Sequence, residues 1–191
     1  MRQQTDGPLK CVSNASLVIL TDADELLMED TLMSYSVWHH RTQAGEQSLQ
    51  QDQPGVALVH YLAAMEQAHY WLGQQTEQTP LTQRTEALDI WLRSCLNLVR
   101  FWYIQSTPSE QLRYLRQALG YRSLGAFVDR PSETAILPSL QTLQQSLTHF
   151  IKEHAEMIQG DELHQELHRL NQILQQEAEG DKRRAKAISP E

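Results

Sequence analysis

The chain has 191 residues, 40% hydrophobic and 21% charged, which is enough to bury one core, or two small ones, without a disulfide or metal staple. Its formal charge of -8, from 16 basic and 24 acidic side chains, excludes a chain built to neutralise a phosphate backbone, so no nucleic acid is expected as a partner. The two cysteines, Cys11 and Cys95, lack CxxC spacing, which excludes a disulfide scaffold and suits a reducing cytoplasm; no apolar run approaches the roughly 20 residues that cross a bilayer, so no membrane contact is expected either.

Residues 1–32 differ from the rest. Leu17-Val18-Ile19-Leu20 is too short for a secretory signal, and an acidic stretch from Asp22 to Asp30 follows it. The expectation is a loosely ordered leader, with Met28 or Met33 as the native start; the alternative is a short strand or helix docked on the domain. From Ser34 or Ser36 the pattern is helical as far as about Gln51, where Asp52-Gln53-Pro54-Gly55 breaks it. Pro54 opens a second helix carrying Val56, Leu58, Val59, Leu62, Met65 and Tyr70 and ending near Gly73. Residues 74–82 form a loop. A third helix runs from about Arg84 to Gln105 through Leu88, Trp91, Leu92, Cys95, Leu98, Val99 and Trp102. Thr107 then caps a fourth helix with Pro108 in its first position, and Gly120 stops it.

The segment 121–138, with Gly125, Pro131 and Pro138, reads as turn-rich. Ser139 opens a fifth helix with Leu140, Leu143, Leu147, Phe150, His154 and Met157 on one face. Past Gly160 the apolar stripe slips by one position, to Leu163, Leu167, Leu170 and Leu174. Gly160 as a C-cap and Asp161 as a new N-cap explain the slip, giving two helices rather than one. Residues 181–191 read as a frayed, solvated tail. The organisation expected is therefore a leader over 1–32, helical hairpins over 33–120, a turn-rich connection with a C-terminal hairpin over 121–178, and a tail over 179–191.

The helices before Gly120 contain a degenerate repeat. Ala44-Gly45 followed by Ala57, Tyr61 and Ala64 matches the small and aromatic positions of a tetratricopeptide motif, and Leu98, Trp102, Leu115 and Ala118 take the equivalent spacing in a second copy. Such residues let one helix lie close on its antiparallel neighbour, leaving an apolar face for the next pair to cover. The copies are 54 residues apart (Ala57 to Gln111), not about 34, and Arg41, Ser48, Val99 and Gln111 depart from the motif. The stretches Ser94–Trp102 and Glu110–Ala118, with the opening Trp38-His39-His40-Arg41-Thr42 and His60-Tyr61, resemble a family of small uncharacterised bacterial tetratricopeptide-like proteins. That resemblance implies a fold and supplies no chemistry.

Candidate chemistry is sparse. There is no GxSxG elbow and no glycine-rich phosphate loop. Cys95, mid-helix among Leu92, Leu96 and Val99, reads as a buried and inert thiol. His164 and His168 lie one helical turn apart, a spacing that can chelate a metal, yet Gln165 stands where a zinc-protease helix has Glu, so no metal or cofactor is expected. His154 reads as a core histidine, and Trp71 and Tyr103 as aromatics placed to line a groove.

The strongest candidates are Arg93, Asn97 and Arg100, at i, i+4 and i+7 on one face of the third helix, with Tyr103 continuing it. Two guanidinium groups and an amide there would grip a carboxylate or the carbonyls of an extended peptide. His39, Thr42 and Glu46 are their counterparts in the first repeat. The expectation is thus an all-α fold of tetratricopeptide-like antiparallel hairpins with a C-terminal helical extension. Its expected role is non-catalytic, as an adaptor, chaperone or regulatory subunit holding a partner peptide or helix in a concave groove. Two alternatives stand beside it. One is a metal-binding helical bundle or enzyme using His154, His164 and His168 with Glu153 or Glu162. The other is a homo-oligomer formed through the stripe from Leu163 to Leu174.

Overall fold

The computed structural model describes residues 22–120, 136–158 and 160–188. Among them are six α-helices and no strand: α1 (Asp22–Gln50), α2 (Pro54–Gly73), α3 (Leu81–Ile104), α4 (Pro108–Leu119), α5 (Leu137–Glu153) and α6 (Glu162–Ile188), with a single 3₁₀ turn at Ala155–Met157. The all-α expectation holds. The leader residues 1–21, the turn-rich segment 121–135 and residues 189–191 lie outside the described residues.

α1 and α2, and again α3 and α4, are joined by the same three-residue turn. Asp52 and Ser106 take left-handed φ angles of 56° and 51°. Around them the Gln53 amide donates to Ser48 O (2.9 Å) and the Asp52 amide to Leu49 O (3.1 Å), as Thr107 donates to Trp102 O and Ser106 to Tyr103 O, both at 3.0 Å. This is a Schellman closure, which satisfies the last carbonyls of a helix. Pro54 and Pro108 then open the next helix, where a missing N–H costs nothing. Thr107 occupies the N-cap through its backbone, its carbonyl accepting from Gln111 at 3.1 Å. Its hydroxyl donates instead to Gln105 O at 3.2 Å, so the expected side-chain cap is absent. The 54-residue period seen in the sequence is the spacing of these two turns.

Within the first hairpin Gly45 lies under the Tyr61 ring, and a Cβ built there would stand 2.8 Å from Tyr61 Cε1. Tyr61 in turn meets Phe101 of α3 edge-on at 6.2 Å. α3 is the central helix. It is buried on nearly every side, from Ala87 to Phe101, and packs on α2, α4 and α5. A helix apolar almost all round belongs in the interior, and the one polar strip left on α3 passes through Arg93, Asn97 and Arg100.

Five boundaries differ from the sequence reading, one of them the start of α3, at Leu81 inside the expected 74–82 loop and not at Arg84. α1 starts at Asp22, inside the expected leader, because Ala23–Met33 is rich in Ala, Leu, Met and Glu, all good helix formers, and has no Gly or Pro to stop the propagation. α5 starts at Leu137, with Pro138 in its first turn and not in a preceding loop. α5 also ends at Glu153, well before Gly160. His154 turns the backbone to φ -130°, ψ 41° and packs its ring on Phe150 at 5.0 Å, so Met157 belongs to the 3₁₀ turn. Finally, α6 continues to Ile188 through the expected frayed tail. The inferred two-helix break is real, and the Asp161 carbonyl accepts the first bond of α6 from Gln165 at 2.9 Å.

The leucine stripe of α6 is consumed inside the chain. Leu163 and Leu170 are buried, and Leu167 and Leu174 pack partly buried on the same core, against α5 with its Leu140, Leu143, Leu147 and Phe150. Gln144 Nε2 bonds Asn171 Oδ1 at 3.0 Å across this hairpin. The stripe is therefore no oligomer interface, since each buried leucine is already worth about 1.5–3 kcal/mol to the fold itself.

Candidate functional site

Three helices leave an open groove of about 460 Å³. α1 lines it with Tyr35, Trp38, His39, Thr42, Gln43 and Glu46, spaced at three and four residues along one face. α3 contributes Arg93, Leu96 and Asn97, and α5 contributes Pro138, Ser139 and Thr142. The floor is apolar: Trp38 and Leu96 are both buried, and Trp38 is fixed by an indole N–H bond to Ser94 Oγ at 2.8 Å. Tyr35 stacks on His39 with ring planes 8° apart.

The polar groups of the groove divide into bound and free. Arg93 Nε pairs with Asp89 Oδ2 at 2.8 Å, while Ser139 Oγ donates to Asp89 Oδ1 at 2.5 Å. One carboxylate thus orients the Arg93 guanidinium and ties α5 to α3, and the terminal nitrogens of Arg93 make no ion pair among the described residues. His39 Nε2 and Gln43 Nε2 lie 2.9 Å apart in a hydrogen bond. The Thr42 hydroxyl is buried and unpartnered, and the Asn97 amide makes no hydrogen bond with any described residue. Unpartnered buried polar atoms are uncommon because each costs about 1–3 kcal/mol, so they mark where a ligand group would be welcomed.

Glu46 also borders an adjoining hollow of about 240 Å³, with Leu49, Gln50, Tyr61, Arg100 and Ile104. Arg100 forms no ion pair among the described residues. Burial pushes the Tyr61 hydroxyl above its ordinary range, Glu46 adds to the rise and Arg100 opposes it.

The structure therefore gathers His39, Thr42, Glu46, Arg93 and Asn97 into one groove. Arg100 sits in the neighbouring hollow instead, three residues further along a helix that has turned away. Tyr103 lines neither: it is exposed and lies edge-on to His149 of α5 at 5.1 Å. Trp71 is only 6% exposed and belongs to the core, on the same face of α2 as Ala64 and Ala68. Sequence reasoning missed Tyr35, Leu96 and the whole α5 wall. Asp89 was detectable as the i-4 partner of Arg93; Pro138, Ser139 and Thr142 carry no local signal, because only tertiary packing brings them to α3.

The remaining candidates stay apart. His164 and His168 are exposed on α6, with His168 Nε2 in a 2.9 Å hydrogen bond with Gln172. Among the described residues no group of three or more His, Cys, Asp or Glu is placed to hold a metal ion. Cys95 is fully buried, and desolvation pushes its thiol up to about 12, far from the range of a working nucleophile. No helix among the described residues is long and apolar enough to cross a membrane.

A family model described as a protein of unknown function (DUF2753) matches residues 36–185, and the chain belongs to that family. No curated protein and no solved structure matches it.

Proposed function

We propose that this DUF2753 protein is a non-catalytic binding module that holds a peptide or helix of a partner protein in the groove between α1, α3 and α5. The observation that carries the reading is the pairing of an apolar floor with unpartnered polar groups. Trp38, Leu96 and Pro138 would cover an apolar anchor of the partner. The Asn97 amide offers an NH2 donor group and a carbonyl acceptor, so it can pair with both the C=O and the N–H of a peptide unit, and the terminal nitrogens of Arg93 would take a carbonyl or carboxylate. The hairpins with a 54-residue turn period and the Gly45–Tyr61 contact support a tetratricopeptide-like arrangement, in which the first helix of each pair lines the binding surface. An adaptor, chaperone or regulatory subunit of a bacterial cytoplasm fits this chemistry.

The test is affinity purification of the tagged full chain from its native cell extract, with mass spectrometry of what co-purifies. A stoichiometric partner, reduced at least ~10-fold by Arg93→Ala with Asn97→Ala in a variant that still melts normally, is the expected result. A partner retained undiminished by the folded double variant would remove the groove from consideration.

A further inference from the structure

The hollow beside the groove holds two hydrogen-bond donors and no acceptor engaged with them. Tyr61 lines it while only 3% exposed, and its hydroxyl makes no hydrogen bond among the described residues. Glu46 and Arg100 both act on that hydroxyl, so it stands on the hollow's side of the ring. Arg100 forms no ion pair among the described residues, and Glu46, the one carboxylate lining the hollow, pairs with neither of them. Leu49 and Ile104 supply apolar carbon around the pair. A buried phenol O–H left unpartnered beside a guanidinium is satisfied best by a carboxylate, whose oxygens accept from both at once.

The hollow and the groove form one track. They share Glu46 and follow one another along both helices: α1 passes from Thr42 to Glu46 to Gln50 as α3 passes from Arg93 to Asn97 to Arg100. Leu96, on the groove floor, and Arg100 are one turn apart, about 6 Å along α3. An extended chain repeats its side-chain direction every second residue, about 6.6 Å. A side chain seated on Trp38 and Leu96 therefore brings the next one on the same side to Arg100.

We propose that the occupant of the track is an extended peptide segment with an Asp or Glu two residues from its apolar anchor, its carboxylate held in the hollow by Arg100 and the Tyr61 hydroxyl. This rests on the reading of the groove as a peptide site and adds the chemistry of the partner to it. Glu46, shared by the two cavities, accepts the backbone N–H of the intervening residue and repels a second acid. With the chain's own charge of -8, that selects a single carboxylate over an acidic run.

A random peptide library displayed on phage and selected on the immobilised full chain reads the preference, and the strongest selected peptide is then synthesised and titrated by fluorescence anisotropy. The selected sequences should share an apolar residue with Asp or Glu two positions away. Replacing that acid by its amide should raise the Kd at least ~10-fold, the worth of a hydrogen bond between charged groups. Arg100→Glu should do the same in a protein that melts normally, since Arg100 is exposed, and should restore binding to a peptide with Lys in place of the acid. Tyr61→Phe keeps its ring against Phe101 and should raise the Kd about 3–10-fold. Peptides that are lost with Arg93→Ala and Asn97→Ala yet indifferent to Arg100→Glu overturn the carboxylate site and leave the groove reading standing. A library that yields no binder overturns both.

Discussion

Trp38 of α1 donates its indole N–H to the Ser94 hydroxyl of α3 at 2.8 Å, across 56 residues of chain, and both side chains are buried. Ser94 passes the bond on to Ile90 O at 2.8 Å, so neither polar group is left unsatisfied. The bond sits beneath the groove and sets how far α1 stands from α3. Ser94→Ala strands the indole N–H, and a buried unpaired donor costs about 1–3 kcal/mol. Urea unfolding should show that loss with an unchanged m-value; a loss below ~0.5 kcal/mol would mean that the indole finds another partner.

The Asp89 carboxylate separates stability from recognition in the groove. Its bond from Ser139 is shielded, and a hydrogen bond to a charged group is worth about 1.5–3 kcal/mol. Its pair with Arg93 is half in solvent on the arginine side, which limits it to about 0–1 kcal/mol. Ser139→Ala should therefore lower the thermal midpoint clearly while Arg93→Ala barely moves it. Partner capture should show the reverse order for Arg93→Ala, with a loss of binding in a protein of normal stability.

Gly45→Ala tests the closest helix–helix approach. Replacing a helical glycine by alanine ordinarily stabilises by about 0.5–1 kcal/mol. Here the new methyl would stand 2.8 Å from a Tyr61 ring that is itself buried against Phe101 and has nowhere to move. Overpacking costs about 1–3 kcal/mol, so the net effect should be destabilising. In a double-mutant cycle Tyr61→Leu should relieve most of it, and additive effects would show the clash to be absent.

The paired turns predict a gain. Asp52 and Ser106 hold left-handed backbone that costs a non-glycine residue about 1–2 kcal/mol, and both are exposed. Glycine removes that cost but adds about 0.5–1 kcal/mol of unfolded-state entropy, leaving a net stabilisation of about 0–1.5 kcal/mol at each site. The two substitutions should add, because the turns share no partner, and differential scanning calorimetry of the single and double variants reads the sum.

Cys95 supplies a pH signature. Burial raises its thiol from 9.0 to about 12, so the folded state keeps the proton that the unfolded chain loses near 9. Its contribution is complete below pH 9 and is lost as pH rises from 9 towards 12. Between pH 8 and pH 10 the wild type should lose about 1.4 kcal/mol more than Cys95→Ala. In a Cys11→Ser background, alkylation of native Cys95 at pH 8 should be at least ~1,000-fold slower than in denaturant, from the fall in thiolate population alone. Comparable native and denatured rates would contradict the burial.

What the sequence determined by itself was local. The breaks at Asp52-Gln53-Pro54 and Thr107-Pro108 place the end of α1, the start of α2, the end of α3 and the start of α4 within a few residues, because proline and a polar left-handed turn leave the backbone few choices. The polar strip Arg93–Asn97–Arg100 follows from helical periodicity on α3, and the closeness of Gly45 and Tyr61 from residue size. Tertiary structure decided what those strips face. Ser139 is 50 residues from Asp89, and no local pattern says that its hydroxyl will close the third wall of the groove. It also sent Arg100 into a separate hollow beside Tyr61 and turned Tyr103 towards His149, since a helix face that is continuous in sequence crosses different neighbours as it passes them. The stripe from Leu163 to Leu174 makes the same point in reverse. Periodicity showed that it would be covered, and only packing could show that the cover is α5 of the same chain, reached before any second molecule because the connection between the two helices is short.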